Sequence, residues 1–165
     1  MRNVILIGMP GSGKSTAGAL LAKAIGFGFI DSDDAIRESE GKSLSRIIEE
    51  EGLDGFLAVE ERVNAGLCAD GCVIATGGSV VYGPRAMEHF KGMGTIVYLR
   101  LSYPEIERRL SDLKARGVAI REGYTLRDLY DERTPLYERY ADVVVDLDGL
   151  DMAGAVRALT EKLKI

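Results

Sequence analysis

Gly8-Met9-Pro10-Gly11-Ser12-Gly13-Lys14-Ser15 fits the pattern G-x-x-x-x-G-K-[ST] at every fixed position. The stretch before it, Val4–Ile7, is short, apolar and β-branched, as in a strand buried on both faces. The stretch after it, Ser15–Ile25, is rich in Ala and Leu and reads as a helix. A glycine turn between strand and helix lets successive backbone N–H groups face an anion at the positive end of the helix. Lys14 adds a point charge for the β- and γ-phosphates of a nucleotide, and Ser15 adds a hydroxyl ligand for Mg²⁺. Gly11, Ser12, Gly13, Lys14, Ser15 and Thr16 are therefore the first candidate nucleotide-binding residues.

Further short apolar runs fall at Phe27–Ile30, Cys72–Ala75, Thr95–Leu99 and Asp142–Val145. Helical spacing covers Asp34–Ser39, Leu44–Glu51, Gly55–Ala69, Pro84–Phe90, Pro104–Lys114, Leu126–Tyr140 and Asp151–Leu163. Strands that alternate with helices predict an α/β fold, a five-stranded parallel sheet with helices on both faces in three layers. Ligands then gather at the carboxyl ends of the strands. That end carries the phosphate loop, Asp31-Ser32-Asp33-Asp34, Thr76-Gly77-Gly78-Ser79 and Arg100.

The chain of 165 residues suits one domain, residues 1–165, with a sizeable core. Its net charge of -5 and lack of a basic cluster argue against nucleic acid as a partner. No apolar run approaches the length of a membrane span, and the first strand begins almost at the first residue. A cytoplasmic protein without a membrane partner is expected. No interface patch is legible, so a monomer is expected as well. Cys68 and Cys72 stand at helical spacing and read as small buried hydrophobes, because one His in the chain makes a metal site a poor fit.

Phosphate loops also serve GTPase switches, but N-K-x-D is absent and the D-x-x-G match, Asp151-Met152-Ala153-Gly154, lies near the C-terminus. A small-molecule kinase fits better. Asp31 and Asp33 flank Ser32 after the second strand and would alternate in direction if the chain stayed extended. One carboxylate would hold a water on Mg²⁺. The other would orient a substrate hydroxyl or take its proton. Asp34 is the expected cap of the following helix. Gly77 and Gly78 allow close approach of backbone to a ligand.

At these residues the chain resembles the shikimate kinases, a family within the nucleoside-monophosphate-kinase-like group. The resemblance rests on Gly8–Ser15, on Phe29-Ile30-Asp31-Ser32-Asp33 with Ile36, and on Phe56 with Glu60. Gly77-Gly78 and Arg133-Thr134-Pro135-Leu136-Tyr137 with Ala141-Asp142 complete it. It implies a mobile lid, here residues 112–125, and a substrate-binding region at about 32–62. It implies transfer of the γ-phosphoryl of MgATP to the 3-hydroxyl of shikimate, on the route to chorismate and the aromatic amino acids. Carried over, Lys14 contacts the transferred phosphate. Ser15 binds Mg²⁺ directly and Asp31 binds it through water. Asp33 binds the substrate hydroxyls and is the candidate base. Gly77, Gly78 and Arg133 bind the substrate, Arg133 by its carboxylate. Arg109 lies against adenine, and Arg116 is the catalytic lid arginine, with Arg121 as the other candidate. Gly117 and Gly123 are the flexible points of the lid.

Three departures fall on the acceptor side. Leu57 stands where the family has a second carboxylate-binding arginine, Ser79 replaces the third glycine, and the lid around Arg116-Gly117-Val118-Ala119 is altered and shortened. Loss of one charge-assisted contact costs on the order of 1.5–3 kcal/mol. Two further readings therefore stand beside shikimate: a related kinase of another small hydroxy acid or polyol, and a nucleotide-binding module without turnover.

Overall fold

Two apolar strands flanked by glycine turns fix the centre of the molecule. The computed structural model describes residues 2–110 and 118–165. Strand β1 (Asn3–Ile7) is buried along its whole length. It is followed by α1 (Lys14–Ile25), β2 (Gly28–Asp31), α2 (Ser32–Glu40) and α3 (Leu44–Ala65). Then come β3 (Cys72–Ala75), a 3-10 turn at Val80–Tyr82, α4 (Pro84–Met93), β4 (Thr95–Arg100) and α5 (Tyr103–Arg109). The chain closes with α6 (Leu126–Tyr140), β5 (Val143–Asp146) and α7 (Met152–Leu163). The sheet is parallel throughout, in the order β2-β3-β1-β4-β5. The strand order reverses at β1, so the crevice for a ligand opens beyond its carboxyl end, where the phosphate loop lies. Helix α1 packs against α7, and α3 against α4, which covers the two sides of the sheet. Among the described residues no helix is long and apolar enough to cross a membrane.

Several boundaries differ from expectation, each for a local reason. The second strand ends one residue later, because Asp31 pairs in register with Ala75. Helix α2 then starts at Ser32, and Asp31 rather than Asp34 is its cap, accepting a hydrogen bond from the Asp33 amide at 3.0 Å. The two helical stretches at 44–51 and 55–69 form one kinked helix, broken at Gly52 (φ 74°, ψ 175°) and stopped at Gly66. Cys68 is therefore exposed in the connection and Cys72 opens β3, so they share no helical face. Helix α5 ends at Arg109, short of the expected Lys114. Residues 111–117, which include the first part of the expected lid together with Arg116 and Gly117, lie outside the described residues.

Candidate active site

Beyond the sheet's carboxyl edge lies a cavity of about 480 Å³. Lys14 and Ser15 line it from the phosphate loop, Asp33 and Arg37 from α2, and Phe56 and Glu60 from α3. Gly77 to Ser79 line it after β3, and Arg133 reaches it from α6.

The phosphate end is built by the backbone. Gly11 (φ 79°) and Gly13 (φ 87°) take left-handed conformations that a side chain would strain. Gly13 precedes α1 without a capping side chain, so the first amides of the helix are left for an anion. The buried Lys14 ammonium donates to the carbonyls of Gly8 (2.8 Å) and Met9 (2.9 Å) and to Ser12 Oγ (3.3 Å). Burial lowers its pKa to about 8. The Ser15 hydroxyl donates to Asp31 Oδ2 at 2.8 Å. The strand end and the helix start thus bring two oxygen ligands together. The corner at Ser32 also replaces the expected strand-like alternation of Asp31 and Asp33. Asp34 is exposed and accepts from Arg37 at 2.6 Å.

The acceptor end is built by side chains. A Cβ placed on Gly77 would stand 3.0 Å from both Asp33 Oδ1 and Glu60 Oε2, so two carboxylates converge on that glycine. Glu60 is buried and accepts from the Ser79 hydroxyl at 2.6 Å. Burial pushes Glu60 up to about 7. Burial, and then the charge of Asp31, also raise Asp33 above the usual carboxylate range. A Cβ on Gly78 would meet Pro10 Cδ at 2.7 Å and Arg133 Nη1 at 2.9 Å. Both glycines therefore answer to space. Arg133 is only 1 % exposed, and its Nη2 donates to the Ala119 carbonyl at 2.7 Å. One helical turn on, the Tyr137 hydroxyl donates to the Gly78 carbonyl at 2.5 Å.

A second cleft, about 300 Å³, borders the phosphate loop at Ser12 and is lined by Arg108, Arg109, Leu150 and Met152. Arg109 donates to the Gly11 carbonyl at 3.1 Å and to Glu105 at 3.0 Å, which holds it against the loop. Arg121 is exposed and lies 3.7 Å from Asp54. It lines a small separate cavity with Leu53, Leu57, Tyr82, Tyr124 and Glu132, not the main one.

The family profile described as "Shikimate kinase" matches residues 10–164. The chain is 40% identical to a shikimate kinase of Thiobacillus denitrificans, over 99% of this chain and 91% of that one. The chain belongs to the shikimate kinase family. A Pseudomonas paraeruginosa member is 39% identical, over 99% of this chain and 97% of its own. Among solved structures, the shikimate kinase of Acinetobacter baumannii in complex with shikimate superposes with a TM-score of 0.83 at 32% identity. That match covers 99% of this chain and 91% of the other. A gluconokinase from Sinorhizobium meliloti, at 20% identity and a TM-score of 0.52, shares the fold alone. The chain is thus an ATP-dependent kinase of small molecules.

In this shikimate kinase family member, Lys14, Ser15, Asp31, Asp33, Gly77, Gly78 and Arg133 lie in or beside one cavity. Arg109 sits behind the loop, and Arg116 is outside the described residues. Sequence reasoning gave no role to Arg37, Glu60, Ser79 or Tyr82. The signal for Arg37 was its place one helical turn after Asp33. For Glu60 it was an acid four residues after Phe56, on the same helical face as that apolar side chain.

Proposed function

We propose that this kinase moves the γ-phosphoryl group of MgATP to the 3-hydroxyl of shikimate. The observation that carries the reading is the meeting, in one cavity, of a phosphate loop at one end with two carboxylates and a buried arginine at the other. An Acinetobacter baumannii relative of the same fold binds shikimate, which supports the choice of acceptor.

Ser15 and Asp31 offer two hard oxygen donors 2.8 Å apart beside the loop, a set that suits Mg²⁺ with its retained waters. When bound, Mg²⁺ neutralises charge on the β- and γ-phosphates. Lys14 exchanges loop oxygens for phosphate oxygens and carries positive charge to the transferred group. Asp33 orients the acceptor hydroxyl and takes its proton as the new O–P bond forms and the bond to the β-phosphate oxygen breaks. Its raised pKa suits that task. Arg133 binds the acceptor carboxylate, and Gly77 and Gly78 let the acceptor lie on the backbone. Arg109 lies against adenine in the second cleft. Arg116, by the family resemblance, neutralises charge on the transferring phosphoryl group, in a site that must exclude water.

A coupled ADP-release assay tests this, with MgATP and with shikimate added or omitted. Turnover is expected only with both shikimate and Mg²⁺. A folded protein that binds ATP but ignores shikimate would refute the reading.

A further inference from the structure

Arg133 has five N–H donors and no acceptor. Its Nε donates to the Tyr82 hydroxyl oxygen at 3.3 Å, and its Nη2 is held by the Ala119 carbonyl. The Tyr82 proton is already committed, because that hydroxyl donates to Glu132 Oε1 at 2.6 Å. The phenol therefore turns a lone pair, and only a lone pair, towards the arginine. The Tyr82 ring also lies against the guanidinium, with the carbon 5.3 Å from the ring centroid. The other oxygen of Glu132 accepts from the Tyr124 hydroxyl at 2.9 Å. Two phenols thus fix the carboxylate, and the carboxylate fixes the phenol behind Arg133.

Tyr82 does not line the main cavity. It lines the small one, with Leu53, Leu57 and Glu132, so it touches Arg133 from the side away from the acceptor. Nη1 lies on the opposite side, against Gly78 in the cavity wall. We propose that Tyr82, pinned by Glu132, is a positioning residue that fixes the plane of the Arg133 guanidinium so that its Nη1 edge meets the acceptor carboxylate. This rests on the reading that Arg133 binds that carboxylate. The physical reason is preorganisation. A guanidinium that swivels about its Nε bond loses that freedom on binding a planar acid, whereas one already held loses little. The need is sharper here because position 57 carries an apolar side chain, packed against the cluster of Ile36, Ile47, Phe56, Val59 and Ala119 and lining the small cavity, not the main one. One guanidinium at residue 133 then reads the acid, and its angle decides the fit.

The test is a double-mutant cycle of Tyr82→Phe with Arg133→Lys, read as KM for shikimate, KM for ATP and kcat. Tyr82→Phe keeps the ring and removes the hydroxyl. It is expected to raise the shikimate KM about 5- to 10-fold and to move the ATP KM less than about 2-fold. In the Arg133→Lys background it is expected to add nothing, because a lysine has no plane to fix. Glu132→Gln, which keeps an acceptor but loses the charge, is expected to raise the same KM by a smaller factor. An unchanged shikimate KM in Tyr82→Phe, beside a raised one in Arg133→Lys, would overturn the positioning role alone. Equal rises in both KM values, or full additivity in the cycle, would overturn it too. An unchanged shikimate KM in Arg133→Lys would overturn both the role of Arg133 and what rests on it.

Discussion

The two ends of the cavity are made in opposite ways. At the phosphate end, eight consecutive residues supply the loop, and the contacts of Lys14 reach no further than six residues. At the acceptor end the partners are far apart in the chain. Glu60 meets Ser79 across 19 residues, and Arg133 meets Tyr82 across 51. One end is encoded by local backbone conformation, the other by the packing of four separate segments. The first tolerates little change in its own letters. The second can be retuned by exchanges at sites that never touch the acceptor.

Four substitutions test how separate the two ends are. The largest effect belongs to Lys14→Ala, which removes the charge opposite the transferring phosphoryl. A fall in kcat of about 10³-fold or more is expected in the ADP-release assay, with the fold intact by circular dichroism. A loss below about tenfold would mean that the loop amides carry the phosphate alone.

Next comes Gly78→Ala. Its methyl would meet Pro10 Cδ at 2.7 Å and Arg133 Nη1 at 2.9 Å, so both ends of the cavity are pushed at once. A rise of about 10- to 100-fold in the shikimate KM is expected, larger than the rise in the ATP KM. Equal rises would show that the ends are not separable at this glycine.

Glu60→Gln isolates a burial effect. The folded protein holds the Glu60 proton up to about 7, whereas the unfolded chain releases it near 4.5. Between those values the folded state binds more protons, so stability falls as pH rises. The loss from this group is on the order of 3 kcal/mol, complete above the folded value. Urea denaturation from pH 4 to pH 8 should show a shallower decline in the variant. The same decline in both proteins would assign the slope elsewhere, with Asp33 the next candidate.

The smallest effect is expected for Arg37→Ala. Arg37 lines the cavity but is exposed and paired with the exposed Asp34. A rise of about 2- to 5-fold in the shikimate KM is expected, with a stability change within about 0.5 kcal/mol. A larger rise would make Arg37 the second cation that Leu57 does not provide.

The legibility of the sequence follows the same division. The phosphate loop, Asp31, Asp33 and the alternation of strand and helix were readable because each is a short pattern with a local cause. Asp34 as a cap was misread because the register of β2 against β3 carries the strand to Asp31, and a pairing partner 44 residues away does not show in a local window. The link between Cys68 and Cys72 failed because Gly66 ends α3 before either residue. Tyr82 was silent because nothing near it in sequence names Glu132 or Arg133 as its neighbours.

The kink at Gly52 gives α3 two mechanical parts. The segment before it carries Leu44 and Ser45 at one wall of the cavity, and the segment after it carries Phe56 and Glu60 at another. The backbone angles at Gly52 are open to glycine and strained for other residues. The break at residue 52 therefore lets the two segments run along separate axes, so the wall at Leu44 and Ser45 and the wall at Phe56 and Glu60 are each placed by their own stretch of helix.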